Sequence, residues 1–161
     1  MTSREKVPMT ARGYQELKAE LHRLKTVVRQ EVIRAIAEAR AHGDLSENAE
    51  YDAAKEKQAF VEGRINLLED HLGRAEVIDP AKIAGTDRVV FGVTVCLADE
   101  ETGEEISYQL VGEDEADIDR GKISISAPIA RALIGKQLDD EVQVNTPGGL
   151  KTFTVMDITV E

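Results

Sequence analysis

At 161 residues and a net charge of −11, the chain has room for one domain or two small ones, and its acidity argues against a stand-alone nucleic-acid binder, which needs a basic surface against phosphates. Cys96 is the single cysteine, so an internal disulfide and a cysteine-rich zinc site are excluded, and the scattered His22, His42 and His71 do not repair that deficit. The opening residues MTSREKVPMT lack the apolar core of a secretion signal and no run approaches membrane-spanning length, so the expectation is a soluble cytoplasmic protein with no membrane partner.

In chain order, Thr10 is the first helix N-cap, with Pro8 just before it, and the helix is expected from Ala11 to Ala41. Tyr14, Leu17, Leu21, Leu24 and Val28 recur at alternating steps of three and four, the seam of a coiled coil. After Val28 the seam slips and continues through Val32, Ile36 and Ala39, a shift that changes supercoiling locally. The alanine-rich stretch EVIRAIAEARAHG lets a second helix approach closely. That helix is expected from about Leu45 to Ala75, its seam running through Tyr51, Ala54, Gln58, Val61, Ile65, Leu68, Leu72 and Ala75. Only a short connection containing Gly43 separates the two, so they fold back as an antiparallel hairpin with arms of roughly 45 Å.

Asp79-Pro80 stops the helical pattern, and the stretch through Thr86 reads as a linker. Beyond it the period changes. Arg88 to Phe91, Val93 to Leu97, Ile106 to Val111, Ile123 to Ser126, Val142 to Asn145 and Thr152 to Ile158 are β-branched-rich runs between turn signals, and each is expected to be a strand. SAPIARALIG interrupts them as one short helix, with Ser126 as cap, Pro128 in the first turn and Gly135 as terminator. The acidic loops DEETGEE and GEDEADID read equally as solvated turns or as a docking surface. The fold class is α+β: a helical hairpin at 1–78 and, at 79–161, a small antiparallel sheet packed on a short helix. Charge supports the boundary, since residues 1–78 carry 13 basic and 14 acidic side chains and residues 79–161 carry 7 and 17.

The segment HGDLSENAEYDAAKE places two carboxylates, Asp44 and Glu47, at the closed end of the hairpin. By spacing alone Asp44-Leu45-Ser46-Glu47 is a capping box, with Asp44 at the N-cap and Glu47 reaching back. Ser46 and Asn48 read as turn residues, Tyr51 as a seam residue and His42 as a simple tip residue.

The whole chain resembles the Gre family of bacterial transcript cleavage factors, in its GreA branch. The resemblance is carried by MTARGYQELKAEL, by the tip block AIAEARAHGDLSENAEYDAAKEKQ with EGRI after it, and by VGEDEAD, ISISAPIARALIGK and VNTPGG. It reverses the capping reading of the tip acids. Departures are Gln30 where a proline is common, Leu138-Asp139 in place of a Val-Gly-like pair, and Asp52. The resemblance implies a coiled-coil hairpin, an FKBP-like C-terminal domain that grips a coiled coil on the polymerase surface, and bacterial RNA polymerase as the partner. The hairpin would enter the polymerase's secondary channel and stimulate the polymerase's own cleavage of backtracked RNA. Asp44 and Glu47 are then the catalytic residues, sharing Mg²⁺ with the polymerase's acids and orienting the attacking water. Arg40 and Lys55 match basic positions facing the extruded RNA 3′ end. An accessory factor follows, acting as a monomer, with no autonomous enzyme and no metal held tightly by the isolated chain.

Two other classes compete. A non-catalytic channel plug would use the same hairpin, but retention of both tip acids argues against it. A prolyl isomerase needs an aromatic pocket, and the second half offers only Phe91, Tyr108 and Phe153 with no tryptophan.

Overall fold

The computed structural model describes residues 5–43, 48–79 and 88–160. They divide into two compact units: residues 5–6 with 14–75, and residues 7–13 with 76–79 and 88–160.

In the first unit, α1 (Ala11–Arg23) and α2 (Arg29–Ala41) are joined without a break through a π-helical turn at Leu24–Val28, and α3 (Ala49–Gly73) runs back along them. The π turn has a cause legible in the seam. From Leu24 through Val28 and Val32 to Ile36 the apolar positions advance 12 residues, whereas three α-helical turns take about 10.8. One surplus residue has to be absorbed, and a π bulge absorbs one by closing i→i+5 bonds, here Arg29 N–H to the Leu24 carbonyl. Residue 30 is glutamine, so the turn needs no proline to disrupt the ladder. With the surplus taken up, Val28, Val32 and Ile36 stay buried against Ala54, Val61 and Ile65, and Ala39 is buried as well. Two bidentate bridges bracket the π turn: Arg64 donates to both carboxylate oxygens of Glu20 at 3.1 and 2.9 Å, and Arg29 to both of Glu62 at 2.9 and 2.7 Å. Both are half-exposed, so they fix register more than they add stability.

The second unit holds a five-stranded sheet in the order β5-β4-β3-β7-β6, built from β3 (Thr94–Asp99), β4 (Glu105–Val111), β5 (Lys122–Ser124), β6 (Glu141–Thr146) and β7 (Gly149–Thr159). The sheet is mixed rather than antiparallel throughout, because β5 pairs parallel to β4. Ten residues with two 3₁₀ turns, Glu113–Glu115 and Ile118–Arg120, carry the chain back to the starting edge and make that direction possible. Along β3, Val95 and Leu97 point into a core completed by Leu110, Val155, Val142 and by Leu133 of the short helix α4 (Pro128–Leu133).

Two further sequence expectations fail here. Arg88 to Phe91 is not a strand: the segment makes a single bridge, Arg88 with Gln137, and its alternation reflects burial of Val89 and Phe91 beside the sheet. The N-cap of α4 is Ala127, not Ser126, whose hydroxyl donates to Glu113 at 2.9 Å. Two short strands, β1 (Val7–Thr10) and β2 (Ala75–Ile78), form a separate two-stranded sheet that periodicity over four residues could not signal.

β1 is secured by one carboxylate. Glu115 accepts from Thr10 N–H at 3.1 Å, from Gly112 N–H at 3.0 Å and from the Thr10 hydroxyl. Thr10 is also the N-cap of α1, as expected, its hydroxyl oxygen accepting from Gly13 N–H at 3.0 Å. Glycines make the approach possible: a Cβ on Gly13 would overlap the Glu115 carboxylate, and one on Gly112 the Pro8 carbonyl oxygen. Glu115, from the acidic loop GEDEADID, is thus an internal fastener rather than a solvated turn or a docking residue.

Candidate functional site

The closed end of the hairpin is built from the last turn of α2 and the first turn of α3. α3 begins later than expected, at Ala49, and its N-cap is Asn48, whose Oδ1 accepts from Tyr51 N–H at 3.0 Å. The capping box with Asp44 at the N-cap therefore does not apply to α3, because the capping position is filled four residues further on. Asp44 and Glu47 themselves lie outside the described residues. What the structure gives is the frame on either side of them.

Three ties join the two helices there. The Asn48 side-chain N–H₂ donates to the Ala39 carbonyl at 2.6 Å, the Arg40 guanidinium lies 6.0 Å from the centre of the Tyr51 ring, and His42 Nδ1 sits 3.4 Å from Glu50. The charges follow the helix dipoles, with Arg40 in the last turn of α2 and Glu50 and Asp52 in the first turn of α3.

Arg40 and Lys55, placed on different helices, come together. Both line one groove of about 430 Å³ with Ile33, Ile36, Ala37 and Gln58, and the Lys55 ammonium donates to Gln58 at 3.1 Å. The opposite face carries Glu38, His42, Glu50 and Lys57 around a second groove. One flank thus presents Arg40 and Lys55, while the other mixes signs. Tyr51 is half-buried, packed against the seam and under Arg40 at once. Among the described residues no group of three or more His, Cys, Asp or Glu could hold a metal. No described helix is long and apolar enough to cross a membrane.

Residues 7–77 match the model of the N-terminal domain of a transcription elongation factor, and residues 84–160 match the C-terminal domain of GreA/GreB transcription elongation factors. The chain belongs to the GreA/GreB family. Transcription elongation factor GreA of Phenylobacterium zucineum is 59% identical over 96% of this chain and 98% of its own length. Those of Alkalilimnicola ehrlichii and Neisseria meningitidis serogroup A are 57% and 56% identical, over 95% and 96% of this chain and 97% and 98% of their own lengths. Among solved structures, GreA factor homolog 1 of Thermus thermophilus is 33% identical with a TM-score of 0.44, covering 96% of this chain and 99% of that one. Membership in the GreA/GreB family makes this protein a transcription elongation factor that works on RNA polymerase and stimulates cleavage of its transcript.

One residue of the GreA/GreB hairpin frame, Asn48, has a role that its sequence context does not signal. Asn48 was a turn residue by type, and its second partner, the Ala39 carbonyl, is backbone and leaves no mark in the sequence. A cap signal was present in Asn48 standing three residues before Tyr51, but the carboxylates upstream offered a competing one.

Proposed function

We propose that the hairpin enters the secondary channel of bacterial RNA polymerase and brings Asp44 and Glu47 to the polymerase's own active site, as an accessory and not as an enzyme. The observation that carries this reading is the basic flank. Arg40 and Lys55, contributed by two helices, line one groove on the approach to the segment bearing the two acids. A backtracked RNA 3′ end is a polyanion, and cations on one side of the probe hold its phosphates beside the carboxylates without making the whole acidic protein a nucleic-acid binder.

Asp44 and Glu47 would hold Mg²⁺ jointly with the polymerase, and the donor set fits: Mg²⁺ accepts one or two carboxylates and leaves its other positions to phosphate, water and a second protein. When bound there, the ion polarises a phosphoryl oxygen and acidifies water. Asp44 and Glu47 would share the work, Asp44 as an oxygen donor to the ion and Glu47 orienting the attacking water or assisting its deprotonation, and Arg40 and Lys55 would bind and align the RNA. The C-terminal unit docks on the polymerase surface, and the factor works as a monomer.

The test is cleavage in arrested elongation complexes. Arg40→Ala and Lys55→Ala should each slow stimulated cleavage, with a larger loss for the pair and a weaker dependence on salt. Specific hydrolysis of free RNA by the purified protein, abolished by Asp44→Ala, would show an autonomous nuclease and overturn the shared-site reading.

A further inference from the structure

We infer that Asn48 is a positioning residue for transcript cleavage, its side-chain amide tying the last turn of α2 to the first turn of α3 at the base of the segment that carries Asp44 and Glu47. The inference rests on the cleavage-stimulating reading above and adds to it a residue that touches neither RNA nor metal.

The choice of residue type carries the argument. A helix N-cap is served about equally well by Asn, Asp or Ser, because each offers an oxygen to the backbone of the first turn. Only the amide also carries donors. Here Oδ1 accepts from Tyr51 N–H, which orients the N–H₂ toward the Ala39 carbonyl at 2.6 Å. That carbonyl belongs to the last turn of α2, where it also takes the His42 N–H at 3.2 Å, and its second lone pair receives the amide of Asn48. One side chain therefore closes both helix ends and sets the separation of the two points between which residues 40–47 run. The other ties are weaker holds: the side chains of His42 and Glu50 are 62% and 72% exposed, and such pairs are screened by salt. The Asn48 bond to Ala39 is part-buried and uncharged.

A carboxylate pair that has to meet a metal and a water within another protein's active site is sensitive to its footing. A displacement of about 1 Å can cost about 100-fold in rate. An acceptor in place of the N–H₂ would face the Ala39 carbonyl with no proton between them, so Asn48→Asp keeps the cap and opens the base. Asn48→Ser keeps the cap with no added charge and is too short to span to Ala39.

Both variants should be compared with wild type and Asp44→Ala in arrested polymerase complexes, varying factor concentration and Mg²⁺ separately. The expected result is a 10- to 100-fold lower cleavage rate at saturating factor for Asn48→Asp and Asn48→Ser, half-saturating factor concentration within twofold of wild type, and a several-fold higher Mg²⁺ requirement. Helical content and thermal midpoint should match wild type. If Asp44→Ala is inactive at every Mg²⁺ concentration while both Asn48 variants cleave like wild type, the positioning inference is overturned and the cleavage reading stands. If Asp44→Ala itself cleaves normally, the cleavage reading fails, and this inference with it. Loss of polymerase affinity or of helix in both Asn48 variants, with no change in Mg²⁺ requirement, would make Asn48 a plain structural cap and also overturn it.

Discussion

The hairpin and the sheet unit solve opposite problems. The sheet unit buries Val95, Leu97, Leu110, Leu133 and Val155 completely, between one face of the sheet and α4, whereas the hairpin buries one seam and leaves the rest of each helix in water. Both units leave some large apolar side chains in solvent, Phe60 at 74% exposure on the hairpin and Ile118 at 65% on the sheet unit, so the difference lies in the depth of the core and not in the surface. The slender unit thus carries the proposed chemistry on its end, and the thick one carries the stability. A probe thin enough to enter a channel cannot hold a large core, so its register depends on the seam, the π turn and the Arg–Glu bridges.

Substitutions should separate the two roles. Asp44→Ala and Glu47→Ala should each lower stimulated cleavage about 100-fold or more while leaving the thermal midpoint within error, as measured by RNA release and by circular dichroism on the same preparations. Leu97→Ala should do the reverse, removing about 3–5 kcal/mol of stability with saturating cleavage intact where the protein stays folded. A cleavage loss for Leu97→Ala larger than its folded fraction explains would blur the division. Glu115→Gln keeps the size but weakens the bonds to Thr10 and Gly112, and denaturant titration should show a loss of about 1.5–3 kcal/mol.

Asp139 offers a gain. It sits at φ 69°, in the left-handed region that glycine occupies freely, at the position where the sequence departs from the Val-Gly-like pair. Asp139→Gly should raise stability by about 1 kcal/mol, and an unchanged or lower midpoint would show that its surroundings compensate.

The smallest effects are in pH, and there the two units should move in opposite directions. The hydrogen bond from Arg29, with the guanidinium's charge behind it and against the desolvation that raises it, holds the Glu62 carboxyl below its ordinary value. Its folded pKa lies under its unfolded one, so the bridge's contribution is present above the ordinary glutamate range and is lost as pH falls through the folded value. Glu141 is held above its ordinary value by its hydrogen bond with Glu100, then by that group's charge and by desolvation. Its penalty is present at neutral pH and is relieved as pH falls through its folded value. Glu62→Gln should therefore lower the thermal midpoint slightly at neutral pH, and Glu141→Gln should raise it. Both differences from wild type should vanish in acid, and a difference that persists there would assign the effect to packing rather than charge.

The hairpin was the more legible unit. Its seam, its fold-back and the slip after Val28 all follow from spacing, because a two-helix core is one-dimensional and every contact repeats along the chain. The sheet's strands were legible as runs, but β5's parallel direction was not, since direction depends on the path of a connection. Ser126 looked like a cap because the residue type fits one, yet Glu113 and Ser124 claim its hydroxyl. Asn48 and Glu115 were passed over for a shared reason: each acts through backbone groups of a distant segment, and backbone is the same in every sequence. Asp44 and Glu47 rested on the surrounding block, since their spacing alone favoured a cap that the structure assigns to Asn48.

The tie between Thr10 and Glu115 also bears on biosynthesis. The two residues are 105 positions apart, so β1 leaves the ribosome long before the carboxylate that fastens it. The hairpin's seam is complete once α3 has emerged and can zip up from contacts close in sequence, while the opening strand waits for the second half of the chain. Synthesis stalled between α3 and Glu115 would leave a nascent chain with its probe assembled and its first strand unfastened.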